Sequence, residues 1–314
     1  MTDRRDRARG VLLAQACGDA LGVPYEFGPP LADDAVPEMV GRPESDLLPG
    51  EYSDDTAMAV CIAEAAAGHG GLDDTALDDL ARRFLAWGKV GVKHAGRQTK
   101  LVFAATVEPT ADAMRHAART VLEETPHAAG NGALMRTAVV ALVRPDDRVG
   151  TARSAAQVAQ LTHPHHEAVE SCVLWTEAVR RALLGGDVDL AAGLDLIDPA
   201  SRGPWRRRID AATGADPSTF TPNGYTVAAL QAAWAAITST PGQGAVHLSM
   251  SLIAAVRAGG DTDTIAAIAG GLLGARWGAS AIPDAWRQAV HGYGDLDGPG
   301  LSDLADRVLD SAHD

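Results

Sequence analysis

Two short segments of the chain carry paired carboxylates beside hydroxyls: Ser53-Asp54-Asp55-Thr56 and Asp261-Thr262-Asp263-Thr264. Each opens an apolar run, and the second follows Gly259-Gly260. Taken singly, such a segment reads as a helix cap. Asp, Ser and Thr accept hydrogen bonds from the free N–H groups of a first turn, and the helix dipole favours their charge. Taken together, four carboxylates from distant parts of the chain have another use. Converging carboxylates repel unless a cation lies between them. Hard oxygen ligands suit Mg²⁺, Mn²⁺ or Ca²⁺ rather than a thiolate-bound metal. That many acids are enough for a two-metal site.

Two further segments carry weaker signals. Gly130-Asn131-Gly132 permits unusual backbone torsions ahead of Ala133 to Arg136, where a helix start would offer N–H groups to a phosphate. Read alone it is a turn that needs no ligand. Thr162-His163-Pro164-His165-His166-Glu167 reads as a helix start, capped by Thr162 or His163 with Pro in the first turn. Its three histidines and Glu could also hold a transition metal. The spacing is not HExxH and no Cys lies nearby, so the cap is the preferred reading.

These segments need helices to position them. Leu12, Leu13, Ala16, Cys17, Ala20 and Leu21 share one helical face within about residues 7–21. Residues 24–50 hold many Pro and Gly and predict a long ordered loop. Ala57 to Ala67 is an apolar helix that stops at Gly68. Further helices are predicted at about 73–87, 110–124, 133–143, 151–161, 166–184, 225–237, 245–257, 264–276 and 301–311. Residues 185–222 predict a polar, irregular connection with short helices. There is no alternating strand pattern, no repeat and no clean linker, so the expectation is one all-α domain over 1–314. Trp87, Trp175 and Trp234 fall in helical patterns and are expected in the core. Arg206-Arg207-Arg208, after Trp205, is expected on a solvated face.

Composition excludes several classes. Lys plus Arg is 27 against 41 for Asp plus Glu, a net charge of −14, which argues against extended nucleic-acid or anionic-membrane binding. With 46% hydrophobic and 22% charged residues the chain is globular rather than disordered. Aromatics at 4%, with abundant Ala and Gly, favour helices packed on small side chains. Cys17, Cys61 and Cys172 are widely spaced and odd in number, which fits a reducing compartment. Asp3 and Asp6 interrupt the basic N-terminus, and no apolar run reaches membrane-span length. A cytoplasmic protein without a signal peptide is therefore expected.

The ordered set of motifs carries a resemblance. Gly18-Asp19-Ala20-Leu21-Gly22 with Glu26, Ser53-Asp54-Asp55-Thr56, Gly130-Asn131-Gly132, Thr162-His163-Pro164, Gly224-Tyr225-Thr226-Val227 and Gly259-Gly260-Asp261-Thr262-Asp263-Thr264 follow one another along the chain. In this it resembles the ADP-ribosylglycohydrolase family, that of the dinitrogenase reductase-activating glycohydrolase and the ADP-ribosyl-acceptor hydrolases. The likeness runs from about residue 8 to about 290 and includes Ile282-Pro283 and Trp286.

The resemblance implies an all-α fold of a dozen or more helices. It implies a binuclear Mg²⁺ (or Mn²⁺) centre beneath an ADP-ribose cleft. Ser53, Asp54 and Asp55 would hold one side of the metal pair, and Asp261, Asp263 and Thr264 the other. Glu26 matches an acid that reaches the metals from a loop. Gly130, Asn131 and Gly132 would line the phosphate and distal-ribose region, with His163 and Tyr225 bordering the cleft. Asp55 and Glu26 are the candidates for general acid/base work. Ser53 stands where Thr is common, which keeps the ligand oxygen and loses a methyl. His127-Ala128-Ala129 lacks a carboxylate that some members place before the Gly-Asn-Gly turn.

The implied reaction is hydrolysis at C1″ of ADP-ribose on an acceptor, through an oxocarbenium-like transition state. An ADP-ribosylated protein is the expected partner, arginine the first acceptor, and ADP-ribose the product of a monomeric enzyme. Serine, a nucleic-acid base and O-acetyl-ADP-ribose are the other acceptors. The competing classes are a non-catalytic ADP-ribose-binding module and a metal phosphohydrolase acting on the pyrophosphate.

Overall fold

The structure is a computed structural model of the chain that describes residues 3–29, 31–32, 35–91 and 94–311. Thirteen α-helices lie among the described residues. They are α1 (Arg4–Gly22), α2 (Asp54–His69), α3 (Asp74–Gly91), α4 (Arg97–Ala105), α5 (Ala111–Glu124), α6 (Arg148–Gln160) and α7 (His166–Gly185). The remainder are α8 (Pro199–Ala212), α9 (Thr226–Ser239), α10 (Gly244–Arg257), α11 (Thr262–Trp277), α12 (Asp284–Ala289) and α13 (Gly298–Ser311). Two antiparallel two-residue strands, β1 (His291–Gly292) and β2 (Leu296–Asp297), are the only paired strands among the described residues. The all-α expectation holds.

The centre of the molecule is α1 laid along α11, with α2 beside them. In α11 every residue from Thr262 to Ala275 is buried, and in α1 every residue from Gly10 to Gly22. Helices apolar all round belong in a core, and small side chains let their backbones approach. A Cβ on Gly18 would overlap the Ala266 carbonyl, and one on Gly22 would overlap the Asp263 backbone. The seam therefore brings the end of α1 against the start of α11. By contrast α3 and α5 are amphipathic outer helices, whose buried faces follow the periodicity seen in the sequence. Trp87, Trp175 and Trp234 are buried as expected, and so is Trp205.

Several local expectations change. Residues 133–143 are not an α-helix but two 3-10 turns, Leu134–Arg136 and Ala138–Leu142. Thr137, Val139 and Val140 are β-branched, which crowds an α-turn, and the narrower coil fits a fully buried strip. The connection at 185–222 contains the 14-residue α8, begun by Asp198 capping Ala200 N and interrupted in composition only by Pro204. The short helices α4 and α12 escaped prediction, being too brief for a periodic signal. Helix α7 is capped by His165, whose ring accepts from Glu167 N at 3.3 Å, and not by Thr162 or His163. Among the described residues no helix is long and apolar enough to cross a membrane.

Candidate active site

Of the acids in the two paired segments, Asp263 alone among the described residues is seen accepting from a first-turn N–H of its own helix, and the N-cap residues Ser53 (of α2) and Asp261 (of α11) make no side-chain cap bond. The carboxylate that caps α2 comes from α1 instead. Asp19 Oδ1 accepts from Ser53 N and Ser53 Oγ, both at 2.8 Å. Its Oδ2 accepts from Thr56 N at 3.0 Å and Thr56 Oγ1 at 2.7 Å. Four donors thus converge on one buried Asp, and Asp54 and Asp55 stay free of the helix N-terminus. Gln15, also on α1, donates to the Asp55 carbonyl at 3.1 Å and fixes the backbone of that turn.

The start of α11 is built the same way. Gly259 and Gly260 both have positive φ, at 73° and 70°, a bend that two residues with a Cβ would not hold without strain. Asp261, the N-cap, makes no cap bond of its own. Asn223 Oδ1 accepts from Asp261 N at 3.0 Å, and Asn131 Nδ2 donates to Asp261 Oδ2 at 2.7 Å. Asp263 Oδ1 accepts from Thr264 N at 2.9 Å.

The carboxylates meet in two groups. Asp19, Asp55 and Asp263 each offer an oxygen within 4.8 Å of the others, and so do Glu26, Asp261 and Asp263. Asp263 belongs to both. Burial and mutual repulsion push Asp54, Asp55 and Asp263 well above the usual carboxylate range. Asp19 rises to about 6 because burial outweighs its four donors. Burial also raises Glu26 and Asp261; the Arg42 ion pair offsets part of the rise at Glu26, and Asn131 part of that at Asp261. The donor set fits a hard divalent cation. Asp55 Oδ1 is buried with no hydrogen-bond partner among the described residues. Ser53 Oγ lies 3.1 Å from Asp55 Oδ2, but its single proton already serves Asp19. A cation supplies what those oxygens lack.

The acids floor a cavity of about 580 Å³, within the range of small-molecule sites. Glu26, Asp54, Asp55, Asp261, Asp263 and Thr264 line it, with Gly130, Asn131, Gly132 and His163. Leu101, Val121 and Met135 add an apolar wall, and Arg97, Gln98, Thr99 and His127 further polar groups. Ser53 and Tyr225 are not among the lining residues. Tyr225 pairs through its backbone with Gly130, while its hydroxyl bonds Glu167. Asn131 N donates to Gly224 O at 3.1 Å, so the 224–226 segment braces the Gly-Asn-Gly turn. Asn131's side chain is turned to Asp261 and the Asn223 carbonyl.

His163 is buried and neutral, its pKa pushed down to about 3 by burial and by nearby Arg136. Among the described residues His163, His165, His166 and Glu167 form no metal-holding group. Arg208 pairs with Glu167 at 2.5 Å and covers the Trp205 ring, while Arg206 and Arg207 are exposed. Asp19 is the site residue to which sequence reasoning gave no role. Its signal was an acid between Gly18 and Gly22 in the buried, largely apolar second half of α1.

Comparison with known proteins agrees with this geometry. The sequence model of the ADP-ribosylglycohydrolase family matches residues 1–314. An ADP-ribosylarginine hydrolase, Tri1 of Pseudomonas putida (strain GB-1), is 31% identical over 290 residues, covering 91% of this chain and 74% of that protein. The ADP-ribosyl-[dinitrogen reductase] glycohydrolase of Rhodospirillum rubrum is 28% identical, covering 90% and 89%. Human ADP-ribosylhydrolase ARH3 is 27% identical, covering 93% and 91%. A solved ADP-ribosylglycohydrolase-related protein complex superposes with a TM-score of 0.77 at 31% identity, covering 99% of this chain and 100% of that one. The chain belongs to the ADP-ribosylglycohydrolase family, a family of glycohydrolase enzymes.

Proposed function

We propose that the chain is a divalent-metal-dependent hydrolase that frees ADP-ribose from an arginine side chain of an ADP-ribosylated protein. One observation carries the reading. Two acid groups share Asp263, and Asp55 Oδ1 is buried without a hydrogen-bond partner among the described residues, beside a ligand-sized cavity. Asp54, Asp55, Asp261, Asp263 and Thr264 would hold two Mg²⁺ or Mn²⁺ ions, with Asp19 lying beside Asp55 and Asp263 and fixing the Ser53 and Thr56 hydroxyls. The ions' chemistry is Lewis acidity toward sugar hydroxyls and water.

The rest follows from the chain's own residues. Positive charge develops on the ribose ring as the bond at C1″ lengthens, and a fixed field of carboxylates favours it. Asp55 and Glu26 both face the cavity with raised pKa values, which suits them to hold or pass a proton. The Gly130-Asn131-Gly132 turn and His163 present a separate polar surface to the phosphates and distal ribose. An arginine acceptor is supported by the relative from Pseudomonas putida, an ADP-ribosylarginine hydrolase by name. A guanidinium is also the leaving group best attracted to an acidic cavity.

The test is release from defined ADP-ribosylated substrates with Mg²⁺ or with chelator, products read by mass spectrometry. Metal-dependent release of intact ADP-ribose from arginine-linked substrate is expected. AMP plus ribose phosphate would point to a phosphohydrolase. Tight ADP-ribose binding without turnover on any substrate would make the chain a binding module.

A further inference from the structure

Arg136 is completely buried in the first 3-10 turn after Gly-Asn-Gly, and no carboxylate pairs with it among the described residues. Its guanidinium lies 4.5 Å from the Phe84 ring centroid and 3.4 Å from Met58 Sδ. Its one strong acceptor is Thr162 Oγ1, at 2.7 Å from Nη2. Burying an uncompensated charge is costly, so this placement calls for a reason beyond packing.

The hydrogen-bond chain beyond Arg136 has one consistent polarity. A guanidinium only donates, so Thr162 Oγ1 accepts from it. The Thr162 hydroxyl proton then points to His163 Nδ1, 2.7 Å away, and no other acceptor for it is found among the described residues. His163 Nδ1 must therefore offer a lone pair. In a neutral ring the proton is then on Nε2. That nitrogen has no hydrogen-bond partner among the described residues and belongs to a residue lining the cavity. It lies 3.0 Å from where a Cβ on Gly132 would stand and 3.5 Å from the same point on Gly130. The two glycines thus leave room for the ring beside the turn.

We propose that Arg136, acting through Thr162, is a positioning residue that holds His163 in the Nε2–H tautomer, so that its ring donates to an oxygen of the ADP-ribosyl ligand beside the Gly130-Asn131-Gly132 turn. The ligand half of this rests on the reading of the cavity as an ADP-ribose site. His163 then acts as a fixed donor, not as an acid or base. Phosphate and ribose oxygens are the ligand chemistry it recognises.

The experiment uses the full chain with ¹⁵N-labelled histidine, the His163 signals being assigned by their loss in His163→Gln. Long-range ¹H–¹⁵N spectra report the tautomer without ligand, and calorimetry reports ADP-ribose affinity. The expected wild-type spectrum is a neutral Nε2–H ring across neutral pH. Thr162→Val and Arg136→Met are each expected to mix the tautomers. Thr162→Val is also expected to weaken ADP-ribose binding roughly three- to tenfold, the loss of about one hydrogen bond. Thr162→Ser, which keeps the hydroxyl, is expected to restore both. A wild-type Nδ1–H or cationic ring would overturn the proposal. So would folded Thr162→Val or Arg136→Met with an unchanged tautomer. A wild-type chain with the expected tautomer but no ADP-ribose affinity would overturn the cavity reading and the donor role with it, and is told apart by the spectrum.

Discussion

Asp19 explains why the other acids are available for chemistry. By capping α2 from a neighbouring helix it satisfies first-turn donors that Asp54 or Asp55 would otherwise occupy. Replacing it with Ala in the presence of saturating divalent ion should cost about 2–4 kcal/mol in denaturant unfolding, because charged caps in buried positions are strong. A cost below about 0.5 kcal/mol would show that the four bonds contribute little. Asp263 is the shared acid of both groups, so Asp263→Asn should lower turnover by about a hundredfold or more and abolish metal-induced stabilisation together. Loss of turnover with normal metal stabilisation would move Asp263 out of the metal-holding set. The acids of the two motifs were legible in the sequence because paired carboxylates before apolar runs are a local pattern, whereas Glu26 stood out only through the family resemblance. The role of Asp19 was not legible, since its partners lie 34 and 37 positions away and only packing brings them together.

At the scale of elements, the site is set by how closely α1 and α11 approach. Gly22 abuts the Asp263 backbone, so Gly22→Ala should force the two helices apart. We expect a loss of about 1–3 kcal/mol with a larger fall in activity than in stability, since the displaced turn carries Asp263. Gly68, exposed near the end of α2 with open space around it, is the control. Gly68→Ala should instead stabilise by about 0.5–1 kcal/mol and leave turnover unchanged. Equal effects of the two substitutions in thermal unfolding would contradict the close-approach account. Long apolar or amphipathic helices such as α5, α7 and α9 were readable from periodicity. The 3-10 course of residues 134–142 was not, because helical propensity does not say how narrow a buried strip must be. The turn at 130–132 was legible as a turn, but its bracing by Gly224 and Asn223 is tertiary.

For the whole molecule, the acid cluster makes stability depend on pH and on cations together. Its carboxyls have raised pKa values, so between about pH 4 and those values the folded chain binds more protons than the unfolded one. Their contribution to stability therefore falls as pH rises. His163 works oppositely: its lowered pKa adds stability above its unfolded value near 6.5, lost as pH falls. That effect is common to chelated and metal-loaded protein and cancels in their difference. The rise in Tm on adding millimolar Mg²⁺ should therefore grow from about pH 5 to about pH 8, where the acids bind ion instead of proton. A metal-induced shift that is flat with pH would contradict this linkage. In chelator at the upper pH, Asp263→Asn should unfold later than wild type, since it removes one repelling charge.

The central claim is that these acids gather to hold cations, and the count of bound ions tests it most directly. Equilibrium dialysis of chelator-stripped protein against Mn²⁺ near neutral pH is predicted to show saturable binding of about two ions per chain, with binding severely reduced in Asp263→Asn. Saturation that is unchanged in that variant, or no saturable binding at millimolar Mn²⁺, would contradict the account.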